Sequence, residues 1–353
     1  MSSHDSPVST SGDVPGVDVD AVTRWMEAHI DDASGPFRFD VIAGGHSNLT
    51  YRVTGSNGTR YVLRRPPLGH RLASAHDMGR EHRIIHALQH SGVPVAPALG
   101  YCDDDTVNDA PFYVMGFVDG HVIRDRVSAE AILSPAARRH AGESIVDTMA
   151  AIHAVDLDAV GLADLSKHEG YIARQLKRWY GQWNAQKTRD LAAVDTVHDE
   201  LLRRIPEQGP ATIVHGDYRL DNCMVGDDGS VVAVLDWEIC TLGDPLADVG
   251  LLQVYWTGPD DDASAWTGSA TTAPGFPNRA DLAARYAEVS GRDLSQLPFY
   301  TSFAYWKLAC ILEGVYARYV GGALGQRDPA ELEPFKLQVE GAAAKALATL
   351  ETI

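Results

Sequence analysis

From residue 37 onward, apolar and polar positions alternate with the period of two that marks a strand. Strand-like segments run to Ala43, from Leu49 to Val53 and from Arg60 to Arg64. They are divided by the turn-rich Gly44-Gly45-His46-Ser47-Asn48 and by Gly55-Ser56-Asn57-Gly58, which predicts an antiparallel meander. Between Arg80 and His90 the period becomes helical. Glu81, Ile84, Ile85 and Leu88 fall at i, i+3, i+4 and i+7, so a carboxylate shares the inward stripe. Two more strands, Ala98 to Asp103 and Pro111 to Val118, end at the Asp119-Gly120 turn. Beyond about Ala129 the pattern is mainly helical, with amphipathic segments near 135–154, 168–185, 191–204, 279–290 and 299–320. A short β insertion, Thr212 to Asp236, interrupts them. Trp256 to Asn278, rich in Gly, Pro, Asp, Ser and Thr, is expected to be a long surface loop. There is no repeat of solenoid period.

The insertion carries the chemistry. His215-Gly216-Asp217-Tyr218-Arg219-Leu220-Asp221-Asn222 precedes the apolar Cys223-Met224-Val225, the turn Gly226-Asp227-Asp228-Gly229, and an apolar run from Val231 to Leu235 ending at Asp236. A hairpin turning on Asp227 and Asp228 brings the entry of its first strand beside the exit of its second. Asn222 and Asp236 then lie near each other, with Asp217 just upstream. Hard oxygen ligands of this kind suit Mg²⁺ bound jointly with a phosphate. Asp217 is left to orient or deprotonate a substrate hydroxyl, because phosphoryl transfer depends chiefly on positioning and charge neutralisation.

Composition narrows the classes. The 353 residues are 45% hydrophobic and 22% charged, enough for one large or two moderate cores. A net charge of −18 argues against a general binder of nucleic acid or anionic membrane, but not against an anionic small ligand held in a local field. Residues 1–16, rich in Ser, Asp, Gly and Pro, read as a flexible tail without the basic start and apolar run of a signal peptide. No apolar stretch approaches the ~20 residues of a membrane span, so the expected location is cytoplasmic. Cys102, Cys223, Cys240 and Cys310 form no C-x-x-C pair and are expected to be buried thiols rather than disulfides or zinc ligands.

The segment from His215 to Asn222 and Leu235-Asp236-Trp237-Glu238 resemble the catalytic loop and metal motif of the aminoglycoside phosphotransferase and choline kinase group, itself similar to protein kinases. The likeness runs from about residue 37 to 325. It implies an α+β, two-lobed protein-kinase-like fold: residues 17–118 as a nucleotide-binding lobe with a small antiparallel sheet and one helix, and 119–353 as a larger, mainly helical catalytic lobe carrying the hairpin. Asp217 matches the catalytic base, Asn222 and Asp236 the ligands of Mg²⁺, and His215 a buried histidine that shapes the loop. The implied cofactors are ATP and Mg²⁺. Gly44, Gly45, Ser47 and Asn48 stand where a glycine-rich loop would cover phosphates, although they depart from G-x-G-x-x-G. Alternation places Val62 and Arg64 on one face, matching an adenine-roofing apolar residue and a phosphate-binding cation; the cation here is Arg instead of Lys. Glu81 would pair with Arg64 or, alternatively, sit partly exposed near the helix start. Met115, Phe117 and Val118 lie where the hinge beside adenine would run.

A narrower likeness is carried by Arg64-Arg65-Pro66-Pro67, Ala75 to Glu81, Leu242 to Asp248 and Lys307 to Tyr316. These resemble the kinase domains fused to acyl-CoA dehydrogenases, whose implied substrates are 4-hydroxyacyl-CoA thioesters. The expected partner is therefore a small-molecule acceptor with a hydroxyl. An aminoglycoside or amino-alcohol acceptor remains open, as does a catalytically idle nucleotide- or CoA-binding module. The absence of an Ala-Pro-Glu segment leaves little room for a protein acceptor. Arg174, Lys177 and Arg178, beside Trp179 and Trp183, could meet a CoA phosphate and adenine or form a solvated stripe over packed tryptophans. Asp244 and Asp248 could touch metal or substrate, or cap a helix and anchor a loop. His82, His86 and His90 lie opposite the apolar stripe and are expected to face solvent.

Overall fold

The computed structural model describes residues 14–42, 48–68, 77–258, 261, 269–322 and 328–353. The chain divides into two compact units, Met1–Asp119 and Gly120–Ile353.

In the first unit, β1 (Arg38–Val41), β2 (Leu49–Thr54), β3 (Arg60–Arg65), β4 (Ala98–Cys102) and β5 (Phe112–Gly116) form one antiparallel sheet ordered β1-β2-β3-β5-β4. One face of this sheet buries Tyr51, Val53, Tyr61, Leu63, Phe112 and Val114 against Val22 and Met26 of α1 (Val19–His29). Each such side chain contributes about 1.5–3 kcal/mol on full burial. Asp18 caps α1 by accepting from the Ala21 N–H at 2.9 Å. Neither α1 nor the short α3 (Asp105–Asn108) was foreseen, so this unit exceeds the single helix expected. The stripe of α1 is only two buried side chains wide and adjoins a polar tail, which hides its period. The foreseen helix is α2 (Met78–Leu88), capped by Asp77 and burying Met78, Glu81, Ile84, Ile85 and Leu88.

In the second unit, α4 (Arg126–Ile132), α5 (Pro135–His153), α6 (Tyr171–Gln186), α7 (Ala192–Arg203), α8 (Leu246–Tyr255), α9 (Arg279–Ser290), α10 (Leu297–Val320) and α11 (Pro329–Leu350) supply the helices. The core gathers around α10, whose Phe299, Phe303 and Trp306 pack with residues of α6, α7, α8 and α11. Sequence periodicity passed over α8 and α11. Helix α8 buries residues on every side, so no polar face marks its turns. Helix α11 contributes mostly Ala to the core, at 342, 343 and 346, which gives a weak apolar signal.

The β insertion differs from its expected form. Strand β7 (Thr212–Val214) pairs with β10 (Thr241–Gly243), beyond Asp236, while β6 (His121–Val122), β8 (Cys223–Val225) and β9 (Val231–Val234) form a separate sheet ordered β6-β8-β9. The β8–β9 hairpin turns where its Gly and Asp residues predict. Gly229 has φ of 90°, and a Cβ there would lie 2.1 Å from the Ala137 carbonyl oxygen of α5, so only glycine fits.

The expected surface loop 256–278 is corrected over its described part. Trp256 is 2% exposed and donates from Nε1 to the Pro277 carbonyl at 2.8 Å, while Thr271 bridges both backbone groups of Thr257. Ala270, Thr271 and Ala273 are buried. These bonds satisfy the backbone that a buried loop would otherwise leave unpaired. The four cysteines are free and buried, as expected. Among the described residues no helix is long and apolar enough to cross a membrane.

Candidate active site

The loop that follows β7 is fixed from below by one carboxylate. Asp248, on α8 and 1% exposed, accepts the backbone N–H groups of His215 at 2.7 Å and Gly216 at 2.9 Å. Burial alone would push its carboxyl up, but hydrogen bonds and charge from His153 and His215, with the Gly216 N–H, hold it below the usual range. Gly216 turns the chain at φ of 86°. His215 Nε2 bonds the Leu235 carbonyl oxygen at 2.9 Å, and its Nδ1 accepts the Asp217 N–H at 3.3 Å. A single buried imidazole thus ties Asp217 to the end of β9. Asp244 accepts from Tyr300 Oη at 2.6 Å and from the Leu246 N–H at 3.0 Å. Of the alternatives for Asp244 and Asp248, their observed partners are those of loop anchors.

Above this floor, three of the singled-out residues come together. Asn222 Nδ2 donates to the carbonyl oxygen of Asp217 at 2.8 Å and to its Oδ2 at 2.9 Å. The Leu235 N–H donates to the Asn222 carbonyl oxygen at 2.8 Å, which brings the residue before Asp236 against the start of β8. Asp236 itself has φ of 61°, a conformation rare outside glycine. Such backbone strain is concentrated at functional sites.

Asp217 keeps 28% of its side chain exposed. Arg219, which sequence reasoning did not single out, stands beside it, with Nε 3.5 Å from Asp217 Oδ2 and Nη2 3.1 Å from Asp221 Oδ2. Its guanidinium lies 5.0 Å from the Tyr255 ring centroid. A cavity of about 320 Å³ opens onto Asp217, with walls that include Trp179, Ile239, Tyr255 and Ile311.

The basic stripe of α6 divides. Arg174 donates to the backbone carbonyls of Lys167 and Glu169, Lys177 is exposed, and Trp183 is buried in the core. Only Arg178 and Trp179 of this set line the cavity.

In the first unit, Arg64 Nε lies 3.4 Å from Glu81 Oε2, with side chains 13% and 2% exposed. Glu81 is therefore a buried ion-pair partner rather than a partly exposed residue. Val62 stands opposite Met115 in the sheet, and Arg64 opposite Tyr113. Tyr61 and Leu63 belong to the α1 side, which leaves Val62 and Arg64 on the other face, as alternation predicts. The Phe117 N–H donates to the Arg60 carbonyl oxygen at 3.3 Å, and its own carbonyl is the backbone group left to meet a ligand. Its ring is covered by the Arg60 guanidinium at 4.4 Å. Asn48 is 4% exposed; Gly44, Gly45 and Ser47 lie outside the described residues.

The histidines of α2 do not all face solvent. His82 is half-buried and stacks on Tyr101 at 5.6 Å, and burial followed by the charge of His86 lowers its pKa. Among the described residues, no group of three His, Cys, Asp or Glu side chains forms a metal centre.

Residues 38–289, well over half of the chain, match the profile of the phosphotransferase enzyme family. The chain belongs to this family. Acyl-CoA dehydrogenase family member 10 of Mus musculus is 33% identical over 308 residues, covering 86% of this chain and 28% of that protein. Family member 11 of Homo sapiens is 33% identical over 289 residues, covering 80% and 36%. The chain thus spans about a third of the length of these curated relatives. Among solved structures, a Ralstonia eutropha protein provisionally classed as an aminoglycoside phosphotransferase is 32% identical, with a TM-score of 0.82 over 95% of this chain and 98% of that one. Spectinomycin phosphotransferase, solved with ADP and spectinomycin, is 13% identical, with a TM-score of 0.60 over 96% and 100%, and shares the fold. The α+β, protein-kinase-like fold that the resemblance implies is the fold of this phosphotransferase, and its relatives include the acyl-CoA dehydrogenase branch.

Two residues around Asp217, Arg219 and Lys307, carried too little signal to be assigned in advance, and Asp248 was readable only as one of several alternatives. Arg219 is visible in the motif, but its partners depend on the loop's path. Asp248 and Lys307 reach the loop from 33 and 91 residues away, beyond any local pattern.

Proposed function

We propose that this phosphotransferase moves the γ-phosphoryl group of ATP, held with Mg²⁺, to a hydroxyl of a small molecule. The observation that carries the reading is the clasp of Asn222 on Asp217 at the base of the hairpin that ends in Asp236. The clasp turns the Asp217 carboxylate and leaves it partly exposed to the 320 Å³ cavity, where an acceptor hydroxyl would lie. Asp217 would orient that hydroxyl and take its proton as the oxygen attacks.

The residues present fit a magnesium ion. Asn222 spends its Nδ2 on Asp217, which leaves the amide Oδ1 as a hard oxygen donor, and Asp236 supplies a carboxylate. Two protein oxygens completed by phosphate and water are the usual provision for Mg²⁺, in contrast to an all-protein cage. When bound, the ion would neutralise charge on the phosphates. Val62 and Met115 would supply an apolar surface for the base, and Arg64, braced by Glu81, a cation for phosphate. The Phe117 carbonyl and Val118 would offer backbone groups to the base edge. Asn48, with Gly44, Gly45 and Ser47, would approach the phosphates.

The acceptor we favour is a hydroxyacyl-CoA, ahead of an aminoglycoside or amino alcohol, because the curated relatives carry acyl-CoA dehydrogenase names. The dehydrogenase activity in those names belongs to proteins of which this chain matches about a third. The test is phosphate transfer from labelled ATP to a panel of hydroxyacyl-CoAs, aminoglycosides and amino alcohols. Asp217→Asn is expected to lower transfer at least ~10³-fold with nucleotide binding retained. Tight nucleotide binding without Asp217-dependent transfer to any acceptor would favour an idle binding module.

A further inference from the structure

Lys307 is a buried cation on the inner face of α10, 8% exposed among Phe303, Ala304 and Leu308. Its Nζ donates to the Gly216 carbonyl oxygen at 3.1 Å and lies 5.7 Å from the Trp179 ring centroid. An ammonium carries three donors, and Gly216 accepts one. The carboxylates whose charge reaches it are Asp217 and Asp248. Both are engaged elsewhere: Asp217 by Asn222 and Arg219, and Asp248 by the His215 and Gly216 N–H groups. Burying a lysine is costly unless its donors are used.

Lys307 and Asp217 line the same cavity, together with Arg178. Among the described residues Asp217 is the single carboxylate of that lining, and the remaining walls are largely aromatic and aliphatic. An acceptor carrying amines would bring positive charge to a pocket that already holds two cations for one carboxylate. One carrying an acyl oxygen would meet an ammonium with donors to spend.

Resting on the phosphotransfer reading above, we propose that Lys307 is a specificity-determining residue. Its ammonium donates a hydrogen bond to an acyl oxygen, of a carboxylate or a thioester, on the acceptor whose hydroxyl lies at Asp217. The pocket thereby selects hydroxy acids and hydroxyacyl esters and turns amino alcohols away. Burial pulls the Lys307 pKa below the ordinary lysine range, in keeping with a group held out of water for a ligand.

The experiment is equilibrium titration of wild type, Lys307→Met and Lys307→Arg with a medium-chain hydroxy acid, its pantetheine thioester, a diol and an amino alcohol of matched length. Transfer kinetics are measured in parallel. Wild type is expected to bind the two acyl ligands in preference to the amino alcohol. Lys307→Met should weaken acyl ligands about 10- to 100-fold, the value of a hydrogen bond to a charged group, and the diol less than about 3-fold. Lys307→Arg should restore part of the loss. The thioester and free-acid arms show which acyl source the pocket prefers. A purely structural role would lower kcat alike for every acceptor and leave the ranking of ligands unchanged, and that outcome overturns the proposal. So does wild-type protein that binds the amino alcohol more tightly than the hydroxy acid, a result that needs no variant to fold. Because binding is read without turnover, absence of transfer to every acceptor counts against the phosphotransfer reading alone.

Discussion

Replacing Asp248 tests whether the floor beneath Asp217 is held as the structure indicates. The Asp248 carboxylate is 1% exposed and accepts two backbone N–H groups at 2.7 and 2.9 Å, with His153 Nε2 a further 3.4 Å contact. Asp248→Ala leaves both amides without acceptors in a site too buried for water to reach freely. Each orphaned donor costs about 1–3 kcal/mol, so the expected loss is roughly 3–5 kcal/mol. Asp248→Asn keeps the shape and one oxygen but sets an NH₂ against a donor, for a loss of about 2–3 kcal/mol. Either is a large fraction of a typical stability of 5–15 kcal/mol. Urea unfolding followed by tryptophan fluorescence reports the right region, since six of the seven tryptophans lie in Gly120–Ile353.

The pH dependence follows from the depressed folded pKa of Asp248. A carboxyl whose pKa is lower when folded contributes stability that is fully present above its unfolded value of about 3.9, and loses it as pH falls through the folded value. The gap between wild type and Asp248→Asn should therefore be constant from about pH 5 to 8 and close below about pH 4. Transfer with saturating nucleotide should fall about 100-fold in the same variant, because a 1 Å shift of a reacting group costs that much. A variant with the wild-type urea midpoint at pH 7, or a gap that widens toward acid, would refute this account of the loop.

Two further substitutions probe other supports. Gly229→Ala places a methyl 2.1 Å from the Ala137 carbonyl oxygen at a φ of 90°, and should cost about 2–4 kcal/mol; a thermal midpoint within a degree of wild type would show that α5 and the hairpin turn yield more easily than their geometry implies. Glu81→Gln leaves Arg64 without its buried counter-charge, and is expected to cost about 2–3 kcal/mol and to raise the nucleotide KM about tenfold with a smaller effect on kcat; unchanged nucleotide affinity would separate Arg64 from phosphate binding.

What could be read in the sequence was set by local chemistry. The meeting of Asn222 with the end of β9 follows from a turn at Gly226 to Gly229, because register in a hairpin is dictated by the turn itself. The approach of Glu81 to Arg64 follows from two periodicities, two in β3 and 3.6 in α2, each visible within ten residues. Legibility failed where burial was complete or partners were distant. Helix α8 has no polar face to betray its period, yet it carries Asp248. Strand β7 could not be seen to pair with β10 instead of the hairpin, since two three-residue strands 26 residues apart carry no register of their own. Tertiary contacts place Lys307 at the cavity, and in the sequence it is one polar residue in an apolar run.

The net charge of −18 and the charge of the cavity point in opposite directions, and distance decides between them. At physiological ionic strength, exposed charges more than about 8 Å apart are largely screened, so the acidic surface says little about what Asp217 meets. The described lining of the cavity carries two cations, Lys307 and Arg178, beside Asp217, while Arg219, 3.5 Å from Asp217, is shared with Asp221 at 3.1 Å. With the Asp217 charge already answered by Arg219 and by the cations of the lining, the cavity offers a polycation little to pair with. The anchors beneath it, Asp248 and His215, point their hydrogen bonds at backbone, so they fix where Asp217 stands without altering what the cavity recognises. Position and selectivity are thus carried by different side chains. Substitutions in the cavity wall should change which acceptor is chosen, and those in the floor should change how fast any acceptor reacts.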